Sequence, residues 1–122
     1  MGELNKDLVA KCRKKLLDVK SELLNRVREA RMNLDSDDRG GDEADQTMRV
    51  LAEAEFLSHH ERLRHQLMEI EMALGRIENG TYGLCEETEE PIEPERLLAI
   101  PWTRLSIEGA EMREAVKKRF AR

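Results

Sequence analysis

DSDDRGGDEADQ, running from Asp35 to Gln46, is the stretch that decides how this chain folds. Asp35, Asp37, Asp38, Asp42, Glu43 and Asp45 are acids, and Arg39 is the only base among them. Gly40 and Gly41 let the chain reverse, because glycine takes positive φ without a steric cost. Long helical patterns lie on either side. Two antiparallel helices joined here make a hairpin with an acidic tip at residues 35–46, a shape suited to insertion into a partner.

On the N-terminal side, Leu8, Cys12, Leu16, Val19, Leu23, Val27 and Leu34 recur at steps of three or four, with Ala30 or Arg31 in the remaining slot. That spacing keeps one apolar stripe on one helical face. On the C-terminal side a second helix is expected to start near Asp42 or Asp45, where carboxylates face the positive end of the helix dipole. Its seam reads Val50, Ala54 and Leu57, then Leu63, Leu67, Ile70, Leu74 and Ile77. The second run alternates four and three as a heptad does, and a phase slip is expected between Leu57 and Leu63, close to His59 and His60. Asn79-Gly80 reads as the stop, with glycine at the left-handed position beyond the last turn.

From Thr81 the texture changes. Pro91, Pro94 and Pro101 interrupt helices, while Leu97, Leu98, Ile100, Trp102, Leu105 and Ile107 supply a small core. A last helix is expected from about Ser106, an N-cap residue, through Phe120. The predicted fold class is therefore all-α. Residues 1–79 form the coiled-coil hairpin, and residues 80–122 form a small globular domain that clasps the base of the hairpin.

Composition agrees. Of the 122 residues 39% are charged and only 3% aromatic, which helices with narrow apolar seams tolerate and a compact core throughout would not. A net charge of -5 argues against a protein that coats nucleic-acid backbones, so direct sequence-specific nucleic-acid binding is not expected. No run approaches the ~18 apolar residues of a membrane helix, and no signal peptide opens the chain; a cytoplasmic protein without membrane contact is expected. Cys12 and Cys85 make no disulfide framework.

Motifs for chemistry are sparse. A calcium loop starting at Asp35 would place Arg39 and Gln46 at two ligand positions, so the template fails. His59, His60 and His65 read as solvated or seam-edge residues, because neighbours on a helix point about 100° apart. Cys85-Glu-Glu-Thr88 has the spacing of half a zinc knuckle, and after seventeen residues Ser106 and Gly109 have the spacing of the other half. One thiol, two hydroxyls and a glycine cannot hold structural zinc. No metal or other cofactor is expected, and Cys85 reads as a small core residue.

Three stretches together carry a resemblance: the turn DEAD at Asp42–Asp45, IENGTYGLC at Ile77–Cys85, and RLLAIPWTRLSI at Arg96–Ile107. With the hairpin layout they resemble the DksA/TraR family of bacterial RNA polymerase-binding transcription factors. The resemblance implies a non-enzymatic regulator, expected to be a monomer, whose hairpin enters the secondary channel of RNA polymerase and modulates promoter complexes from its tip. It places the two tip aspartates at Asp42 and Asp45, Thr47 where the family has alanine, and a docking arginine at Arg62. With Cys85, Thr88, Ser106 and Gly109 at the ligand positions, it points to a zinc-independent branch in which apolar packing replaces the metal. The positions that bind the alarmone ppGpp in some members fall on Glu69, Ile100 and Ala110, so weak or absent response is expected. Two other readings compete: a Gre-like factor that stimulates transcript cleavage, and a structural coiled coil whose heptads mediate self-association.

Overall fold

The computed structural model describes residues 5–36 and 43–120, with side chains described for 5–32 and 46–120. Residues 37–42, Asp42 among them, therefore lie outside the described residues, and the side chains of 33–36 and 43–45 are undescribed. Four helices follow in order: α1 (Lys6–Ser36), α2 (Glu43–Asn79), α3 (Pro94–Ala99) and α4 (Ile107–Phe120). Among the described residues there is no strand, and Leu84 and Pro91 form an isolated antiparallel bridge. The chain packs as two compact units, Met1–Asp18 with Glu69–Arg122, and Val19–Met68.

In the unit formed by residues 19–68, Leu23 of α1 and Leu63 of α2 are buried, with Val27, Ala30, Phe56, His60 and Leu67 half-buried. Ala30, not the exposed Arg31, fills the open slot of the α1 stripe. The α2 seam differs from the sequence expectation. Val50, Ala54 and Leu57 are exposed, and Arg49, Ala52, Phe56 and His60 turn inward instead. Arg49, Phe56, Leu63, Ile70 and Ile77 recur every seven residues, so the expected slip between Leu57 and Leu63 does not occur, although Ala52 and His60, eight apart, shift the companion row by one residue. The slip arose from ranking residues by apolarity. An arginine can lay its methylene stem along a seam, and the His60 ring stacks on Phe56 with centroids 5.6 Å apart and planes at 17°.

In the other unit, Cys12 and Leu16 of α1 pack with Ile70 and Ala73 of α2 and with Tyr82, Cys85, Ile92 and Leu97. Here α2 stops as expected. Gly80 takes φ 77°, the Thr81 N–H donates to the Arg76 carbonyl at 2.9 Å, and the Gly80 N–H donates to that of Ile77 at 3.3 Å. These two bonds occupy carbonyls that the helix end would leave orphaned. α3 opens on Pro94, which loses nothing there because first-turn N–H groups have no helical partner.

The last carbonyls of α3 and those of the loop between α3 and α4 have no helical partner, so they need other donors. They find them on side chains. The Cys12 thiol donates to Leu97 O at 3.6 Å, Lys15 Nζ to Leu98 O at 2.7 Å, and the Tyr82 hydroxyl to Pro101 O at 2.7 Å. Arg76 Nη2 reaches Trp102 O at 3.3 Å, and Arg96 Nε reaches Leu105 O at 2.7 Å. Burial, followed by Cys12, pushes the Tyr82 hydroxyl pKa up, so it stays a neutral donor. The base of the hairpin and the C-terminal segment are thus one hydrogen-bonded body.

Candidate functional site: a knuckle without its ligands

Tyr82 to Ile92 folds into a tight turn. The Ile92 N–H donates to Gly83 O at 2.8 Å, the Cys85 N–H to Glu90 O at 2.9 Å, and the Glu89 N–H to Cys85 O at 2.9 Å. Gly83 at φ 91° suits glycine, whereas Glu89 at φ 61° is a left-handed non-glycine residue held by that ladder. The turn brings Cys85 and Thr88 to the first turn of α4. Ser106 caps that helix, its Oγ accepting the Gly109 N–H at 3.0 Å, as the sequence led us to expect.

The four knuckle positions converge, but not as a metal site. Cys85 Sγ is buried and lies so close to Gly109 that a Cβ built there would overlap it, with Glu87 Cβ at 3.3 Å and Ser106 Oγ at 3.4 Å also in the way. Thr88 Oγ1 accepts the Glu90 N–H at 3.2 Å. Burial pushes the Cys85 thiol pKa up, but hydrogen bonds from the side chains and backbones of Ser106 and Thr88 outweigh it and bring it down to about 6. The sequence reading of Cys85 as a plain core residue missed this cluster. What fills the space is partly polar, and not the apolar packing that the resemblance implied.

Around the knuckle runs a chain of ion pairs. Glu69 on α2 meets Arg104 at 2.8 Å, Arg104 reaches Glu86 at 3.9 Å, and Arg113 on α4 meets Glu86 at 3.2 Å and Glu87 at 2.8 Å. The Glu86 N–H also donates to Arg104 O at 2.9 Å. Burial lowers the Arg76 pKa beside this chain, with Glu86 acting against it.

The hairpin residues singled out in the sequence do not meet in one place. Asp42 lies outside the described residues, and Asp45 belongs to the first turn of α2 with its side chain undescribed. Thr47 is exposed. Arg62 is exposed with Nη1 3.5 Å from Ser58 Oγ, and fifteen residues of helix put it about 22 Å from Thr47. Of the expected alarmone positions, Glu69 is engaged by Arg104, and Ile100 and Ala110 are half-buried. Among the described residues no group of three or more His, Cys, Asp or Glu is placed to hold a metal ion, and no helix is long and apolar enough to cross a membrane.

Helices α1 and α2 closed at the base by a zinc-knuckle turn that has lost its ligands define the class: coiled-coil hairpin proteins with a small globular domain. Comparison with known proteins makes this specific. The family model for the prokaryotic dksA/traR C4-type zinc finger matches residues 80–114. The RNA polymerase-binding transcription factor DksA of Caulobacter vibrioides is 38% identical over 103 residues, covering 84% of this chain and 72% of that protein. The structure of transcription factor DksA2 from Pseudomonas aeruginosa superposes with a TM-score of 0.86 at 34% identity, over 93% of this chain and 88% of that one. An RNA polymerase binding protein and transcriptional regulator from Chlamydia trachomatis shares the fold at 21% identity and a TM-score of 0.54, covering 98% of this chain and 100% of that one. The chain belongs to the DksA/TraR family. Its knuckle does not fit the four-cysteine zinc site for which the family model is described: one thiol remains, and the position of the fourth ligand is a glycine against which that thiol packs.

Proposed function

We propose that this protein is a non-enzymatic transcription regulator that binds bacterial RNA polymerase. The observation that carries this reading is the match over most of the chain to transcription factors of the same architecture, of which the Caulobacter relative is named as polymerase-binding. On this reading the hairpin enters the secondary channel, Asp42 and Asp45 act from the tip with Thr47 modifying their effect, and Arg62 docks farther along α2. An acidic tip suits a channel with basic walls and a catalytic metal. The tip changes the lifetime of promoter complexes without doing chemistry itself.

Two negative readings follow. Zinc is dispensable for this fold, because hydroxyl donors and a glycine take the ligand positions around Cys85. Response to ppGpp through the family's site is weak or absent, because a polyanion meets an already engaged carboxylate at Glu69 and apolar side chains at Ile100 and Ala110. The deciding experiment is equilibrium binding to core polymerase with and without a Gre factor competing for the channel. Competitive binding is the expected result; no binding at micromolar concentration overturns the proposal. Metal analysis of protein purified without added zinc is expected to show far less than one equivalent.

A further inference from the structure

Helix α4 meets the rest of the globular body through little apolar surface. Gly109 is buried and Ala110 half-buried, but every residue from Glu111 to Phe120 is exposed. At 100° per residue Gly109, Arg113, Val116 and Phe120 fall within about 60° of one another, so they share the side of the helix that meets the knuckle. Even on that side Val116 is 51% and Phe120 77% exposed, and a cavity of about 600 Å³ is lined by Leu105, Ala110 and Val116 together with Glu87 and Arg113. A helix so loosely packed gains little from apolar contact. Polar ties take its place. The Ile107 N–H donates to Glu93 Oε1 at 3.2 Å, and one turn past Gly109, Arg113 donates from Nε to Glu87 Oε2 at 2.8 Å and from Nη2 to Glu86 Oε1 at 3.2 Å.

We infer that α4 is a strap latched by charge: Arg113 on Glu86 and Glu87 holds it over Cys85, and screening or removal of that contact lifts the helix and uncovers the thiol. Three observations carry this. The two carboxylates follow Cys85 directly in the knuckle turn, so the latch sits beside what it covers. The Cys85 sulfur is buried against Gly109, one turn before Arg113 on the same side of α4, so the helix that the latch holds is also the cover of the sulfur. The side chains of Arg113, Glu86 and Glu87 are 43%, 39% and 34% exposed, so dissolved ions reach them. Screening lengths fall from about 10 Å at 0.1 M salt to about 3 Å at 1 M, which weakens exposed pairs of this kind far more than buried contacts. In a four-cysteine knuckle the metal would tie the turn to the helix irrespective of salt; here the tie responds to ionic strength. The inference rests on the contacts of the globular body and not on the polymerase reading.

Alkylation of the full-length chain by iodoacetamide, an uncharged probe, tests it at fixed pH, with the two cysteines followed separately by peptide mass spectrometry. Cys12 is the internal reference. It is buried in the same body with its thiol on Leu97 O of α3, so global unfolding exposes both cysteines and lifting of α4 exposes Cys85 alone. The rate at Cys85 relative to Cys12 is expected to rise at least threefold between about 0.05 and 1 M NaCl. Arg113→Met, which keeps the stem and removes the charge, is expected to raise that ratio at least threefold at low salt and to abolish its salt dependence. Arg113→Lys, which keeps the charge, is expected to retain it. A ratio indifferent to both salt and Arg113→Met overturns the inference. So does a salt dependence that survives in Arg113→Met or is missing in Arg113→Lys.

Discussion

Gly109 makes room for the sulfur of Cys85: the thiol sits where a side chain at position 109 would begin. In a four-cysteine knuckle both positions would point at a metal. Here one has vanished and the other has moved in against the helix. Gly109→Ala is therefore expected to destabilise the protein although alanine is the better helix former, by about 1–3 kcal/mol from overpacking. Urea unfolding midpoints check this, with the exposed, open position Gly80 unsuitable as a control because its φ is 77°. Gly75, where an added Cβ meets nothing within 4 Å, is the appropriate comparison, and Gly75→Ala is expected to be neutral or stabilising.

The Cys85 thiol pKa is lowered from 9.0 to about 6 by its hydroxyl and backbone partners. A group whose folded value is depressed adds stability that is fully present above its unfolded value and lost as pH falls through the folded one. This contribution is therefore expected to be complete above about pH 9, to shrink between 9 and 6, and to be gone below 6. Thermal midpoints from pH 5.5 to 9.5 are expected to show that slope in the wild type. Cys85→Ala should flatten it, and Ser106→Ala should reduce it.

Glu69 and Arg104 are separated by 35 residues and meet at 2.8 Å with side chains 18% and 32% exposed. A pair this sheltered should couple by about 1 kcal/mol, more than a surface pair. A double-mutant cycle with Glu69→Ala and Arg104→Ala, read by chemical denaturation at low and high salt, is expected to give that coupling and to show it reduced at 1 M salt. Zero coupling at low salt would mean that Arg104 serves through its contacts with Glu86 and not through Glu69.

On the proposed function, Asp45→Asn is expected to abolish the transcriptional effect while polymerase affinity stays within a few-fold. Arg62→Ala is expected to do the reverse, weakening binding about tenfold and leaving the effect at saturation intact, since loss of one charged contact is worth about 1.4 kcal/mol. Binding titrations and promoter-complex lifetimes measured on the same preparations separate the two. Parallel loss of both quantities in Asp45→Asn would oppose the division of roles.

Much of the fold was legible because its signals are local. The α1 stripe from Cys12 to Ala30, the stop at Gly80 and the cap at Ser106 depend on residues within a few positions of each other. The tip half of the α2 seam was not legible, because Arg49 and His60 point inward while the apolar Val50 and Leu57 stay exposed. Periodicity ranks residues by type and cannot see which face a partner helix takes. The knuckle was half legible: its spacing marked four positions, but the proton donors around Cys85 and the pairing of Glu69 with Arg104 arise from chain segments that only the fold brings together. The tip aspartates rest on the sequence alone.

The stretch from Leu97 to Leu105, the end of α3 and the loop after it, draws its hydrogen-bond donors from Cys12, Lys15, Arg76, Tyr82 and Arg96. Three of these donors, Cys12, Lys15 and Arg76, lie on α1 and α2 and are made earlier on the ribosome, the first of them 85 positions away. Folding of this body waits for the last third of the chain, because its opening turns have no carbonyls to bind until then. For the same reason residues 80–122 are no portable cassette: grafted onto another hairpin, they would arrive with their carbonyls unanswered unless the host also supplied the thiol, the amine and the guanidinium that α1 and α2 provide here.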